Sequence, residues 1–210
     1  ALKHDIFFIV DEVYREFIYD ENKHTSVLEF DGLEEHAILI DSMSKRYSLC
    51  GARIGCLITK NKNITHAALK FAQSRLCPPT IALHACEAAL EEPQQYLVDA
   101  VKEYQKRRET ALACLSAIDG VEVAQPKGAF YCLVRLPVSD SDHFAKWMLD
   151  SFEDNNETLM VAPANGFFSG NVSGKNMVRI AFVLNVDKLK RALELLKIGL
   201  AAYLNQGHGS

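Results

Sequence analysis

Residues 11–55 hold an uncommon set of reactive and anion-binding side chains. Asp11 and Tyr14 follow the apolar run IFFIV (6–10). Ser42 and Lys45 follow a second run, AILI (37–40), within DSMSK. Arg53 lies in GARIG. A lysine amine forms an imine with an aldehyde, and a second amine can displace it. A hydroxyl and a forked guanidinium suit a dianionic phosphate. A carboxylate keeps a neighbouring ring nitrogen protonated. Further along, Arg179 sits in NMVRIAF. An arginine buried in the middle of an apolar strand needs an anion, either a ligand or a structural Asp or Glu.

The elements that position these residues can be read from the pattern. The runs 6–10 and 37–40 are continuous, apolar and end in Asp, which predicts strands buried on both faces of a parallel sheet. The 26 residues between them (11–36) are enough for a crossover. ARIGCLIT (52–59) reads as a third strand that Arg53 opens. Residues 64–76 are helical in pattern and are broken by CPPT; 80–92 resume as a helix. A long amphipathic helix runs from about Pro93, which suits a first helical turn, to Ile118, ended by Asp119-Gly120. Then the texture changes: strands at 121–125, 129–136, 158–163 and 177–183, helices at 143–153 and 186–204, and a frayed tail NQGHGS. The predicted architecture is an α/β section over 1–105, with a mixed sheet, and an α+β section over 106–210.

In an open parallel sheet, ligands bind beyond the carboxyl ends of the strands. Asp11, Tyr14, Ser42 and Lys45 therefore fall at one edge, with Arg53 beside them. An acid, a phenol, a hydroxyl, an amine and a guanidinium together match a cofactor with a ring nitrogen, a phenolic oxygen, a phosphate and an aldehyde: pyridoxal phosphate.

The combined pattern DEVYREF … SMSKRYSLCGARIG … NMVRIAF resembles the class I/II pyridoxal-phosphate aminotransferases of fold type I, the aspartate-aminotransferase-like group, over nearly the whole chain. The resemblance is to the C-terminal half of that family. It implies that residues 1–105 are the later part of a large cofactor-binding domain and 106–210 a small C-terminal domain. It implies Lys45 as the lysine that holds the cofactor and shuttles a proton. Asp11 becomes the partner of the pyridine nitrogen and Tyr14 the donor to the ring's phenolic oxygen. Ser42 and Arg53 become phosphate contacts, and Arg179 the grip on the substrate α-carboxylate. Gly51 and Gly55 would let the backbone pass close to the site. Phe130 and Tyr131 lie where the family's small domain approaches the substrate, and read equally as core. The implied reaction moves an amino group between an amino acid, aspartate or a similar one, and a 2-oxo acid. A C–S lyase or an aminocyclopropane-carboxylate-synthase-like enzyme would use the same residues. A non-catalytic aminotransferase-like regulator module is the reading from another class. The family also implies a homodimer.

Run 6–10 begins five residues from Ala1 and carries no edge-protecting charge. It reads as a strand whose sheet partners lie in a longer protein, unless a helix or a second copy covers it. The family's N-terminal half, with its phosphate loop and the aromatic that stacks on the ring, has no counterpart here. The chain alone is therefore expected to bind pyridoxal phosphate weakly or not at all, without useful transamination.

Composition excludes other classes. The formal charge of −4 provides no basic field for nucleic acid or an anionic membrane. No apolar run approaches the length of a membrane span. Cys50, Cys56, Cys77, Cys86, Cys114 and Cys132 are scattered, form no CxxC pair, and read as reduced, buried thiols of a cytoplasmic protein without a metal site. The histidines show no ligand spacing; His66 and His84 read as ordinary core or surface residues.

Overall fold

The computed structural model describes residues 1–91, 94–170 and 173–207. Contacts divide the chain into two compact units, Ala1–Val101 and Lys102–Ser210.

The first unit is built on a three-stranded mixed sheet. Strands β1 (Phe8–Asp11), β2 (Ala37–Ser42) and β3 (Gly55–Ile58) lie in that order, β1 parallel and β3 antiparallel to β2. Only β2 is buried as its sequence predicts: Ala37, Ile38 and Leu39 are enclosed, and Val10, Val27 and Leu33 pack with Ala37 and Leu39. β1 departs from the buried-strand expectation. Phe8 is 48% and Ile9 64% exposed, and every residue of β3 is exposed. Among the described residues, each of these strands has β2 on one side and no further strand on the other.

The crossover from β1 to β2 holds no α-helix. It contains turns after Glu12 and a 3-10 turn, Val27–Glu29, at which Ser26 and Glu29 cap each other reciprocally. Helix α1 (Met43–Arg46) follows β2 directly. Helix α2 (Lys62–Arg75) starts two residues before the pattern indicates, because the Asn61 side chain accepts from the amides of Asn63 and Ile64. Helix α3 spans Thr80–Glu91 and α4 spans Gln95–Ser116. The expectation for Pro93, and the end of the 80–92 helix, lie outside the described residues, as does the last part of the frayed tail.

The second unit carries an antiparallel sheet in the order β4 (Glu122–Val123), β5 (Tyr131–Arg135), β7 (Met177–Ala181), β6 (Ala162–Pro163). Alternation divides its faces. Cys132, Val134, Val178 and Ile180 are buried, while Leu133, Arg135 and Arg179 are exposed. Helices α5 (Ser141–Asp150) and α6 (Val186–Asn205) add Phe144, Met148, Leu189, Leu193, Leu196 and Leu200 to the core. Gly199 permits their close approach: a Cβ there would stand 2.5 Å from Met148 Sδ. The expected strands 121–125 and 158–163 shrink to two residues each. Thr158, for one, is tied by its hydroxyl to Met148 O of α5 at 2.6 Å.

Candidate active site

The strand register gathers the predicted residues of the first unit. Asp11, the last residue of β1, is level with Ile40, and the Glu12 amide donates to Ile40 O at 2.9 Å. Ser42 ends β2 opposite Gly55, the first residue of the antiparallel β3. Asp11, Ser42, α1 with Lys45, and the segment leading into β3 with Arg53 thus share one rim. Asp11 Oδ1 accepts from the Val13 amide at 3.2 Å and turns the chain toward Tyr14. Lys45 Nζ lies 5.8 Å from the centroid of the Tyr14 ring. Here the structure brings two of the predicted residues directly together.

Arg53 does not open β3. It sits at φ 56° after a 3-10 turn, Cys50–Ala52, is exposed, and donates from Nη1 to Cys50 O at 3.1 Å. Gly55 meets its expectation of close backbone passage, since a Cβ there would stand 3.0 Å from Asp41 O. Gly51 does not: nothing lies within 4 Å of its Cβ position.

Ser42 acts within the fold. Its Oγ accepts from the Ser44 amide at 3.1 Å, capping α1, and its single proton faces Ile54 O at 2.9 Å and Ser44 Oγ at 2.8 Å. A phosphate oxygen would compete with those acceptors for that proton.

Two charged groups beside the rim escaped sequence reasoning. Glu12 is 3% exposed. Its Oε2 meets His24 Nε2 at 2.8 Å, and its Oε1 takes the Val27 amide at 2.8 Å and Ser26 Oγ at 3.1 Å. Burial pushes its pKa up, but the hydrogen bonds from His24, Val27 and Ser26 outweigh burial and hold it below the usual carboxylate value. The second group is a ring of charges. Asp41 Oδ2 pairs with Arg46 Nη2 (2.7 Å) and Arg15 Nη2 (3.0 Å), and Glu16 Oε1 pairs with Arg15 Nε (3.1 Å) and Arg46 Nε (2.9 Å). The only sequence signal was the placement of R-E after Tyr14 and of Arg46 after Lys45.

A cavity of about 710 Å³ lies between α3 and the β2–β3 side of the sheet, lined by Met43, Ile54, Cys56, Leu83, Cys86 and Leu90 among others. Ser42, Asp41 and Arg46 border it, so it adjoins the rim, whereas Asp11, Tyr14, Lys45 and Arg53 do not line it.

In the second unit Arg179 is exposed, which overturns the expectation that it is buried. It is instead sandwiched. Its guanidinium carbon lies 4.7 Å from the Tyr131 ring centroid and 4.9 Å from that of Phe167. Phe130 is core and stacks on Tyr104 at 5.0 Å. The thiols correct another expectation: Cys50, Cys56 and Cys77 are exposed, while Cys86 and Cys132 are buried. His66 and His84 are exposed. Among the described residues no cluster suits a metal ion, and no helix is long and apolar enough to cross a membrane.

The family model for aminotransferases of class I and II matches residues 1–196. The chain belongs to the class I and II aminotransferases. Its relatives include the aspartate aminotransferase of Pyrococcus abyssi, 30% identical over 94% of this chain and 49% of that protein. Another is the (5-formylfuran-3-yl)methyl phosphate transaminase of Methanocaldococcus jannaschii, 33% identical over 91% of this chain and 49% of its own length. The solved aromatic aminotransferase of Pyrococcus horikoshii OT3 superposes with a TM-score of 0.82 at 28% identity, covering 98% of this chain and 53% of that one. The chain thus spans about half the length of these aminotransferase relatives. The chemistry of the rim suits the cofactor that the sequence resemblance implies, with an amine, a carboxylate, a phenol and a guanidinium on one edge.

Proposed function

We propose that this chain carries the lysine-bearing part of a pyridoxal-phosphate-dependent aminotransferase, which moves an amino group between an amino acid such as aspartate and a 2-oxo acid. In this reading the first unit is the later part of a large cofactor-binding domain and the second a small C-terminal domain. Lys45 holds the cofactor covalently and, once released, carries the proton to and from the substrate α-carbon. Asp11 faces the ring nitrogen and keeps it protonated. Tyr14 donates its hydroxyl proton to the phenolic oxygen. Arg53 meets the phosphate, with Ser42 the weaker contact because its hydroxyl also faces Ile54 O and Ser44 Oγ. Arg179 takes the substrate carboxylate in its fork. Bound pyridoxal phosphate supplies an aldehyde and an electron-withdrawing ring that stabilises negative charge on the α-carbon.

The observation that carries the reading is the Lys45 amine over the Tyr14 ring at the rim that also holds Asp11. The family match supports it. The relatives' double length supports a further statement, that this chain alone gives no useful transamination.

The test is reductive trapping. The chain is mixed with excess pyridoxal phosphate, reduced with borohydride and mapped by mass spectrometry. The pyridoxyl group is expected chiefly on Lys45, with the peptide unlabelled in Lys45→Ala. Label spread evenly over the surface lysines overturns the reading. An intense visible band before reduction, lost in Lys45→Ala, overturns the statement that the chain binds weakly.

A further inference from the structure

We propose that Arg46, working through Asp41, Glu16 and Arg15, is the positioning residue that holds Lys45 against Tyr14. The inference rests on the reading of Lys45 and Tyr14 as cofactor-binding residues and adds the device that sets their geometry.

The placement along the chain is the first argument. Arg46 directly follows Lys45, and Arg15 and Glu16 directly follow Tyr14. The ring of charges therefore joins the two backbone segments at the positions next to the two side chains. It is closed as a set of ion pairs: Asp41 Oδ2 and Glu16 Oε1 each lie 2.7 to 3.1 Å from both guanidiniums, the Glu16–Arg46 Nε leg being a charge contact without hydrogen-bond alignment. Asp41 Oδ1 also accepts from the Ser42 amide at 2.8 Å, so the same carboxylate reaches the residue that caps α1.

Burial is the second argument. The side chains of Asp41 and Arg46 are 6% and 8% exposed, where solvent and salt screen little. Exposed pairs have no such hold on geometry. Helix α1 has four residues, too few to be rigid from its own hydrogen bonds. Something outside it must fix the direction of Lys45; Met43 and Arg46 are the buried residues on that turn, and of the two Arg46 is the one tied to the Tyr14 segment by charge. Two arginines and two carboxylates sum to no net charge, so the ring orients Lys45 without adding net charge beside it.

The test reads geometry and needs no cofactor. In the full chain labelled with 13C-lysine, the Lys45 ε-methylene resonance is expected to be shifted by the Tyr14 ring current. Lys45→Arg identifies the signal by removing it, and Tyr14→Leu marks its unshifted position. Arg46→Met is expected to move the signal at least half-way to that position. Arg46→Lys, which keeps the charge without the fork, and Glu16→Gln, which keeps the shape, are each expected to move it in the same direction by less. Circular dichroism reports whether each variant is folded; if Arg46→Met is not, the other two decide. Folded variants whose Lys45 signal stays at the wild-type position overturn the proposal and leave the ring a purely structural feature. Trapping on Lys45 in the unaltered chain judges the cofactor reading separately, so either can fail without the other.

Discussion

The Glu12 carboxylate reaches across fifteen residues to accept from the backbone amide of Val27 at 2.8 Å. This contact, with Ser26 and His24, pins the crossover onto the end of β1, one residue beyond Asp11. A carboxyl whose folded pKa lies below its unfolded value of 4.5 stabilises the fold above that value. The contribution is lost as the pH falls through the lower, folded value. Glu12→Gln is therefore expected to cost about 2 kcal/mol near neutral pH, as for hydrogen bonds to a buried charge. Chemical unfolding of the wild type and the variant should show the gap narrowing as the pH falls below 4.5. A gap that is unchanged in acid would refute the assignment.

Ser42 is bound up with local structure. Removing its hydroxyl takes away the cap of α1 and the bond to Ile54 O. Ser42→Ala should lower stability by about 1 kcal/mol, as loss of a helix cap does. Urea unfolding measures this. Pyridoxal-phosphate trapping on Lys45 should fall less in Ser42→Ala than in Arg53→Met, because the Ser42 proton already has acceptors within the fold.

The two rings beside Arg179 hold a guanidinium that is otherwise exposed. Such contacts at exposed sites are worth about 0.5–1 kcal/mol, enough to order a side chain and too little to hold a fold. Tyr131→Leu or Phe167→Leu should leave thermal stability close to wild type while the Arg179 Nε–H group becomes more mobile by 15N relaxation. An unchanged order parameter in both variants would count against the sandwich.

The thiols should separate by burial. Burial pushes the Cys132 thiol up to about 11. Cys56 is also raised, first by burial and then by Asp41. The thiolate is the reactive form. At about pH 8, Cys50 and Cys77 should react first with an aromatic disulfide reagent, Cys56 more slowly, and Cys86 and Cys132 only after denaturant is added. Peptide mapping of partly modified protein checks the order.

The site was legible to the extent that it is local. Asp11, Tyr14, Ser42 and Lys45 each follow an apolar run within a few residues, and the parallel pairing of β1 with β2 is enough to bring their segments to one rim. The ring of Arg15, Glu16, Asp41 and Arg46 was not legible, because charged residues of those types are usually solvated and nothing in their spacing marks them as paired. Two places are more exposed than their apolar flanks suggest. IFFIV looks like an interior strand, yet among the described residues β1 pairs with β2 alone; Arg179 looks buried by its flanks, yet alternation turns it to the open face of its sheet.

The sequence by itself determined the order of elements, the residues able to do imine and anion chemistry, and the family. Periodicity, caps and motif spacing act over a few residues and need no distant partner. Only the tertiary structure decided that Lys45 lies over Tyr14, that Ser42 spends its hydroxyl on the fold, and that two aromatic rings enclose Arg179. Those outcomes depend on segments far apart in the chain, whose meeting is set by strand register and by how many sides of each strand are covered.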